Sequence, residues 1–224
     1  MENFAEIPSA VSLSKQVEEQ LRNAITEGRM QPNVIYTESN LAQQMGVSRT
    51  PVREAVLDLA ARGFLTILPR RGFQVRVISE GMIHEVCGLR WALEWLTVRT
   101  LAGRPENYDF SSLEAVALAQ KETAATSETT GQAFSRRSFL FHMELLQLAA
   151  NGMVCKIFDD IRDILLVAWT QAFPHTLAPV EVADEHLVLV QLIKAGDPDG
   201  AALFLKEHLD RSEQAALAAL RANK

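Results

Sequence analysis

Residues 37–72 constrain this chain more than any other stretch, because their turn formers fall at intervals that few folds accept. Thr37 or Ser39 can cap a short helical pattern holding Leu41, Ala42 and Met45, and Gly46 closes it. Only Val47 separates that glycine from Ser48, a second capping residue. The helical pattern that follows buries Val52, Ala55, Val56, Leu59 and Ala60, tolerates Pro51 in its first turn, and stops at Gly63. Two β-rich runs, FLTIL and FQVRV, then flank Pro69-Arg70-Arg71-Gly72, the composition of a hairpin. Ahead of this stretch, residues 13–27 set Leu13, Val17, Leu21, Ala24 and Ile25 on one helical face, ended by Gly28. Helix, helix, tight turn, helix and hairpin, in that order, predict a winged helix-turn-helix over residues 1–78.

Such a unit reads DNA by laying its second turn-flanking helix in the major groove, with the N-terminal residues facing base edges. Arg49 and Arg53 lie one turn apart, opposite the apolar stripe, where each guanidinium can grip guanine bidentately or hold a phosphate. The hydroxyls of Ser48 and Thr50, with free backbone N–H groups at the helix start, suit phosphate oxygens. Arg70 and Arg71 before Gly72 form a thin basic wing able to enter the minor groove. The plain alternative is a solvated basic face on an ordinary helical subdomain. The coincidence of capped helix, short turn and hairpin favours double-stranded DNA.

The overall net charge of −6 speaks against that partner only until it is divided. Residues 1–78 carry nine Lys/Arg against eight Asp/Glu, and residues 79–224 carry thirteen against twenty. A basic segment on an acidic body predicts two tasks in one chain. With 48% hydrophobic and 22% charged residues the chain has the composition of a folded protein, so disorder is excluded over most of its length. The longest apolar run, Ile164–Trp169, is far short of the roughly 18 residues of a membrane span. No basic residue precedes Lys15, so the N-terminus does not read as a signal peptide, and Cys87 and Cys155 offer no disulfide framework. A cytoplasmic protein that avoids membranes is expected.

Residues 12–78 resemble the DNA-binding domain of the GntR family of bacterial transcription regulators. The likeness is carried by GRMQPNVIYTESNLAQQMGVSRTPVREAVLDLAARGFLTILPRRGFQV, and VSRTPVREA is its most specific part. The resemblance implies DNA contacts from Ser48, Arg49, Thr50, Arg53 and the wing around Arg71 and Gly72. Asn40 departs from the pattern, since several members carry an operator-contacting arginine just before the Leu-Ala pair.

Residues 79–224 show no strand signal. Amphipathic helices are predicted at about 80–102, 111–126, 130–150, 153–172, 178–195 and 198–221, with breaks at Gly103–Pro105, Asn151-Gly152, Pro174 and Gly196–Pro198. Connections this short predict an all-α antiparallel bundle, and the whole chain is expected to be mostly α. Three helices each aim one histidine at the core: His142 beside Phe139 and Leu145, His186 beside Leu189 and Val190, His208 beside Phe204 and Leu205. A lone core histidine is usually satisfied by one hydrogen bond. Three together are costly to bury without a shared purpose, and a divalent cation on neutral ring nitrogens is the commonest.

This half resembles the FCD ligand-binding domain of the FadR subfamily. The metal-binding branch of that subfamily carries Asp-x-x-x-His, then Glu-His, then a further His. His142, Glu185-His186 and His208 match, but Ser138 stands where the aspartate belongs. Three nitrogens and an open position imply zinc or nickel, with an effector carboxylate completing the shell. The alternative is a metal-free pocket in which the histidines hold the anion directly. Arg90 and Glu94, one turn apart in the GLRWALE run, are either an intrahelical ion pair or an effector contact with Arg90 reaching the ligand.

Effector-binding positions are therefore Arg90 and Ser138, and metal-binding positions His142, His186 and His208. A three-histidine metalloenzyme is the reading from another class, but no general base stands beside the histidines. His84-Glu85-Val86-Cys87-Gly88 lacks the second histidine of a zinc-protease helix, and no glycine-rich phosphate loop occurs. The expectation is a regulator without enzymatic activity. It would be a homodimeric repressor of a palindromic operator, governed by a small carboxylate.

Overall fold

The computed structural model describes residues 12–125, 131–172 and 179–222. They divide into two compact units, Met1–Val77 and Ile78–Lys224. The division falls one residue earlier than the sequence reading put it, with the buried Ile78 opening the second unit.

The first unit runs α1 (Leu13–Thr26), α2 (Glu38–Met45), α3 (Arg49–Ala61), β1 (Leu65–Leu68) and β2 (Gly72–Val75). Ser12 and Thr37 cap α1 and α2 by accepting the backbone N–H groups of Lys15 and Asn40. Gly46 ends α2 at φ 66°, a left-handed conformation, and Val47 N–H returns to the Ala42 carbonyl at 3.0 Å. This closure sets the angle at which α3 leaves the turn. The core joins Val17, Leu21 and Ile25 of α1 to Val52, Val56 and Leu59 of α3 and to Phe73 and Val75 of the hairpin. Leu13 is the exception to the predicted face: it is exposed, and burial on α1 begins at Val17. Ser48 occupies the cap position of α3, yet its hydroxyl makes no capping hydrogen bond.

The hairpin is held from outside as well as within. β1 and β2 pair antiparallel from Leu65↔Val75 to Leu68↔Gly72. Beyond β2, Tyr36 and Phe73 exchange both backbone hydrogen bonds, at 2.8 and 2.9 Å, and their rings stack. Gly72 must lie against this rung. Its φ is 123°, and a Cβ there would stand 2.1 Å from the Tyr36 carbonyl oxygen.

Among the described residues the second unit has six α-helices, α4 (Glu80–Gly103), α5 (Ser111–Ala124), α6 (Gly131–Leu148), α7 (Gly152–Ala172), α8 (Pro179–Lys194) and α9 (Pro198–Ala222), with one short 3₁₀ turn at Pro105–Asn107. Ser79 caps α4, its hydroxyl accepting from Met82 N–H. Short reversals at 149–151 and 195–197 return the chain to give the antiparallel bundle. Its core packs Val98 and Leu101 of α4, Leu113 of α5, Phe141 and Leu145 of α6, Leu189 and Ile193 of α8, and Leu205 of α9. The predicted break at Pro174, and His175 beside it, lie outside the described residues. No helix among the described residues is long and apolar enough to cross a membrane.

Gly72→Ala should destabilise the first unit by more than about 2 kcal/mol, as steric clash at a left-handed position does. Denaturant unfolding checks this, and an unchanged midpoint would contradict the close approach to Tyr36.

Candidate metal centre and nucleic-acid interface

His142 of α6, His186 of α8 and His208 of α9 meet in the bundle interior, exposed by 0%, 0% and 4%. One ligand atom from each lies within 4.8 Å of the others. Their orientation follows from what holds the far side of each ring. His142 Nδ1 lies 2.8 Å from Glu94 Oε2, His186 Nδ1 2.6 Å from Gln120 Oε1, and His208 Nδ1 2.6 Å from Glu185 Oε2. All three partners are acceptors, so each Nδ1 carries the proton and donates it. Each Nε2 is then a lone pair. This tautomer is assigned from the partners, and it is the form in which imidazole binds a metal.

The lone pairs converge. His186 Nε2 and His208 Nε2 are 3.3 Å apart, and His142 Nε2 is buried with no hydrogen-bond partner among the described residues. Two nitrogens at about 2.0–2.1 Å from one tetrahedral zinc stand about 3.3–3.4 Å apart, which the His186–His208 pair matches, while the three ligand atoms together lie within 4.8 Å. Phe141 stacks face to face on His186 with centroids 4.0 Å apart, fixing that ring's plane. His142 and His186 are held neutral. Burial, reinforced by the Arg90 charge and opposed by Glu94, lowers His142 to about 4. Burial, followed by the other two histidines, lowers His186 well below its ordinary value. Ser138 is half-buried one turn before His142 on α6.

Arg90 and Glu94 satisfy the ion-pair reading and extend it. The pair is buried, with Arg90 Nε donating to Glu94 Oε1 at 2.7 Å. Burial raises the Glu94 carboxyl, but Arg90 and His142 outweigh it and hold the group at about 2. Glu185 is shared likewise between His208 and Arg211, whose Nη2 stands 2.7 Å from Glu185 Oε1. Sequence reasoning missed Glu94 and Glu185 as histidine partners and missed Gln120 altogether. Gln120 left one usable signal: an amide on the stripe of Leu113 and Ala117, otherwise apolar and buried.

In the first unit, Ser48, Arg49, Thr50 and Arg53 are all exposed at the start of α3. The Arg49 side chain is 69% exposed, with Nη2 standing 3.5 Å from Glu38 Oε2. Arg49, Thr50 and Arg53 line one surface groove. Arg49 also lines a second groove with Arg70, Arg71 and Gly72 of the wing and with Thr37–Ser39. Arg49 thus belongs to both grooves and joins the helix start to the hairpin tip, with Glu38 lining both and Glu54 the first.

Comparison with known proteins matches both units. The family described as bacterial regulatory proteins, gntR family, matches residues 13–75, and the FCD domain matches residues 85–211. The chain belongs to the GntR family of bacterial regulators and carries an FCD domain. It is 26% identical over 212 residues to the HTH-type transcriptional regulator McbR of Escherichia coli K12, covering 90% of this chain and 91% of that protein. It is 25% identical over 197 residues to the HTH-type transcriptional repressor RspR of the same organism, covering 88% and 86%. The solved structure of E. coli McbR/YncC superposes with a TM-score of 0.76 at 22% identity, over 93% of this chain and 99% of that one. These relatives are transcription regulators. The chain is one also, and not an enzyme.

Zinc should raise the melting temperature of the protein, with stabilisation of about 2.7 kcal/mol when free zinc exceeds Kd a hundredfold. His142→Ala, His186→Ala and His208→Ala should each remove that gain, and Ser138→Asp should tighten binding by adding a carboxylate beside His142. Unchanged zinc affinity in Ser138→Asp, measured by calorimetry, would contradict a coordination position at residue 138.

Proposed function

We propose that this regulator is a cytoplasmic, homodimeric repressor whose hold on a palindromic operator is set by a small carboxylate bound at a zinc or nickel centre. The observation that carries the reading is the convergence of three buried lone pairs whose rings are fixed from behind. His142, His186 and His208 would hold the metal. A divalent ion there offers a Lewis-acidic position that an anionic oxygen can complete. Arg90 supports the same ligand, because its Nε is engaged by Glu94 while the guanidinium presents further N–H donors. Ser138 stands where it can lend a neutral hydroxyl. The buried setting excludes water from these contacts and strengthens them.

On the DNA side, Arg49 and Arg53 supply groove contacts, Ser48 and Thr50 grip phosphate, and Arg71 with Gly72 carries the wing to the minor groove. The unbonded Ser48 hydroxyl is in keeping with a phosphate contact. Two copies would place two recognition helices about one DNA turn apart and so read a palindrome. α4 supplies a surface for that pairing, with Leu89, Ala92 and Leu96 exposed on one face at helical spacing. The effector can change operator affinity only by its unequal affinity for the two arrangements of the dimer. Chain connectivity gives a direct route, since only residues 76–79 separate β2 from α4, the helix that carries Arg90.

Arg49→Ala and Arg53→Ala should each cost about 1–3 kcal/mol of specific binding while leaving the fold intact. Mobility-shift titration at fixed salt, on the duplex the unsubstituted protein selects from a random pool, measures this. Full-strength binding by both variants would refute the assignment.

A further inference from the structure

We propose that Glu94 couples metal to effector: it is shared between the metal ligand His142 and the cation Arg90, so Arg90 opposes the metal, and a carboxylate that neutralises Arg90 tightens it. This rests on the metal-centre reading given under Proposed function. Glu94 is fully buried and spends one oxygen on each neighbour, Oε1 on Arg90 Nε at 2.7 Å and Oε2 on His142 Nδ1 at 2.8 Å. A carboxylate behind a ligating imidazole strengthens it by accepting the Nδ1 proton's hydrogen bond. A guanidinium on the carboxylate's other oxygen draws on the same negative charge and weakens that support. With Arg90 4% exposed, water and salt screen the competition little.

Arg90 therefore has two opposed effects. In the metal-free protein it compensates a buried carboxylate that would otherwise be costly. In the metal-bound protein it is a cation close to a dication. An effector carboxylate on the guanidinium's remaining N–H groups offsets that charge, and metal affinity rises. By linkage, the metal raises effector affinity by the same factor. The second carboxylate arm supplies an internal control. Glu185 is shared in the same manner between His208 and Arg211, but Arg211 is 44% exposed, where solvent screens its charge.

The test is zinc affinity of the full chain by chelator competition, alongside the melting temperature of the metal-free protein. Arg90→Met should tighten zinc about tenfold, within the usual range of coupling between sites, while lowering the metal-free melting temperature. Arg90→Lys, which keeps the charge, should stay near the unsubstituted value. Glu94→Gln should weaken zinc by about 10–100-fold, and Arg211→Met should change it by less than about threefold. A pair that merely braces the fold would weaken zinc in Arg90→Met and Glu94→Gln alike, and that result overturns the proposal. Should Arg90→Met not fold, Arg90→Gln carries the same expectation and the same refutation. Failure of the unsubstituted chain to bind zinc overturns the centre itself, and is distinguished by that fact.

Discussion

Each imidazole in the helical unit gives one nitrogen to a fixed acceptor, and what that unit can bind depends on this division between Nδ1 and Nε2. Glu94, Gln120 and Glu185 come from three different helices, so the rings are oriented by the packing of the whole bundle and not by a local motif. With Nδ1 committed as donor, one ligand atom of each ring lies within 4.8 Å of the others, and His142 Nε2 meets no hydrogen-bond donor among the described residues. For His142 and His186 the neutral ring is the stable state, since burial penalises the imidazolium. A site of this kind selects for a small cation that accepts nitrogen ligands, and an anion is the natural partner to complete it.

The DNA-facing unit rests on backbone geometry instead. Its charge balance is close to even, so attraction to DNA has to be local, and the exposed start of α3 with the hairpin tip is where we propose it arises. The left-handed Gly46 aims α3, and the Tyr36–Phe73 rung seats the wing against residue 72, where no side chain fits. Glu38, 3.5 Å from Arg49, lines both grooves, and Glu54 adds a second carboxylate to the one that holds Arg53.

Much of this could be read before any coordinates. Helix ends are legible where a residue has one conformational job: Thr37, Gly46 and Gly63 all sit where capping and left-handed geometry demanded. The three histidines were legible because each lies on an apolar stripe with the helical period. What stayed hidden was anything that depends on which helices meet. Glu94 reads as half of an intrahelical ion pair, and only the packing of α4 against α6 turns its second oxygen toward His142. Glu185, adjacent to His186, reaches instead across to His208 on the next helix, a pairing that sequence neighbourhood argues against. Ser48 shows a converse limit: a residue with the right identity and place for a cap whose hydroxyl is not used as one.

The account turns on three imidazoles binding one ion through Nε2. X-ray absorption at the zinc edge of the zinc-loaded full chain reports this directly. Three nitrogen scatterers at about 2.0–2.1 Å with the multiple-scattering pattern of imidazole, plus one or two light-atom ligands and no sulfur, is the predicted result. A spectrum with a sulfur shell, or with no imidazole scattering, would place the ion elsewhere and contradict the centre described here.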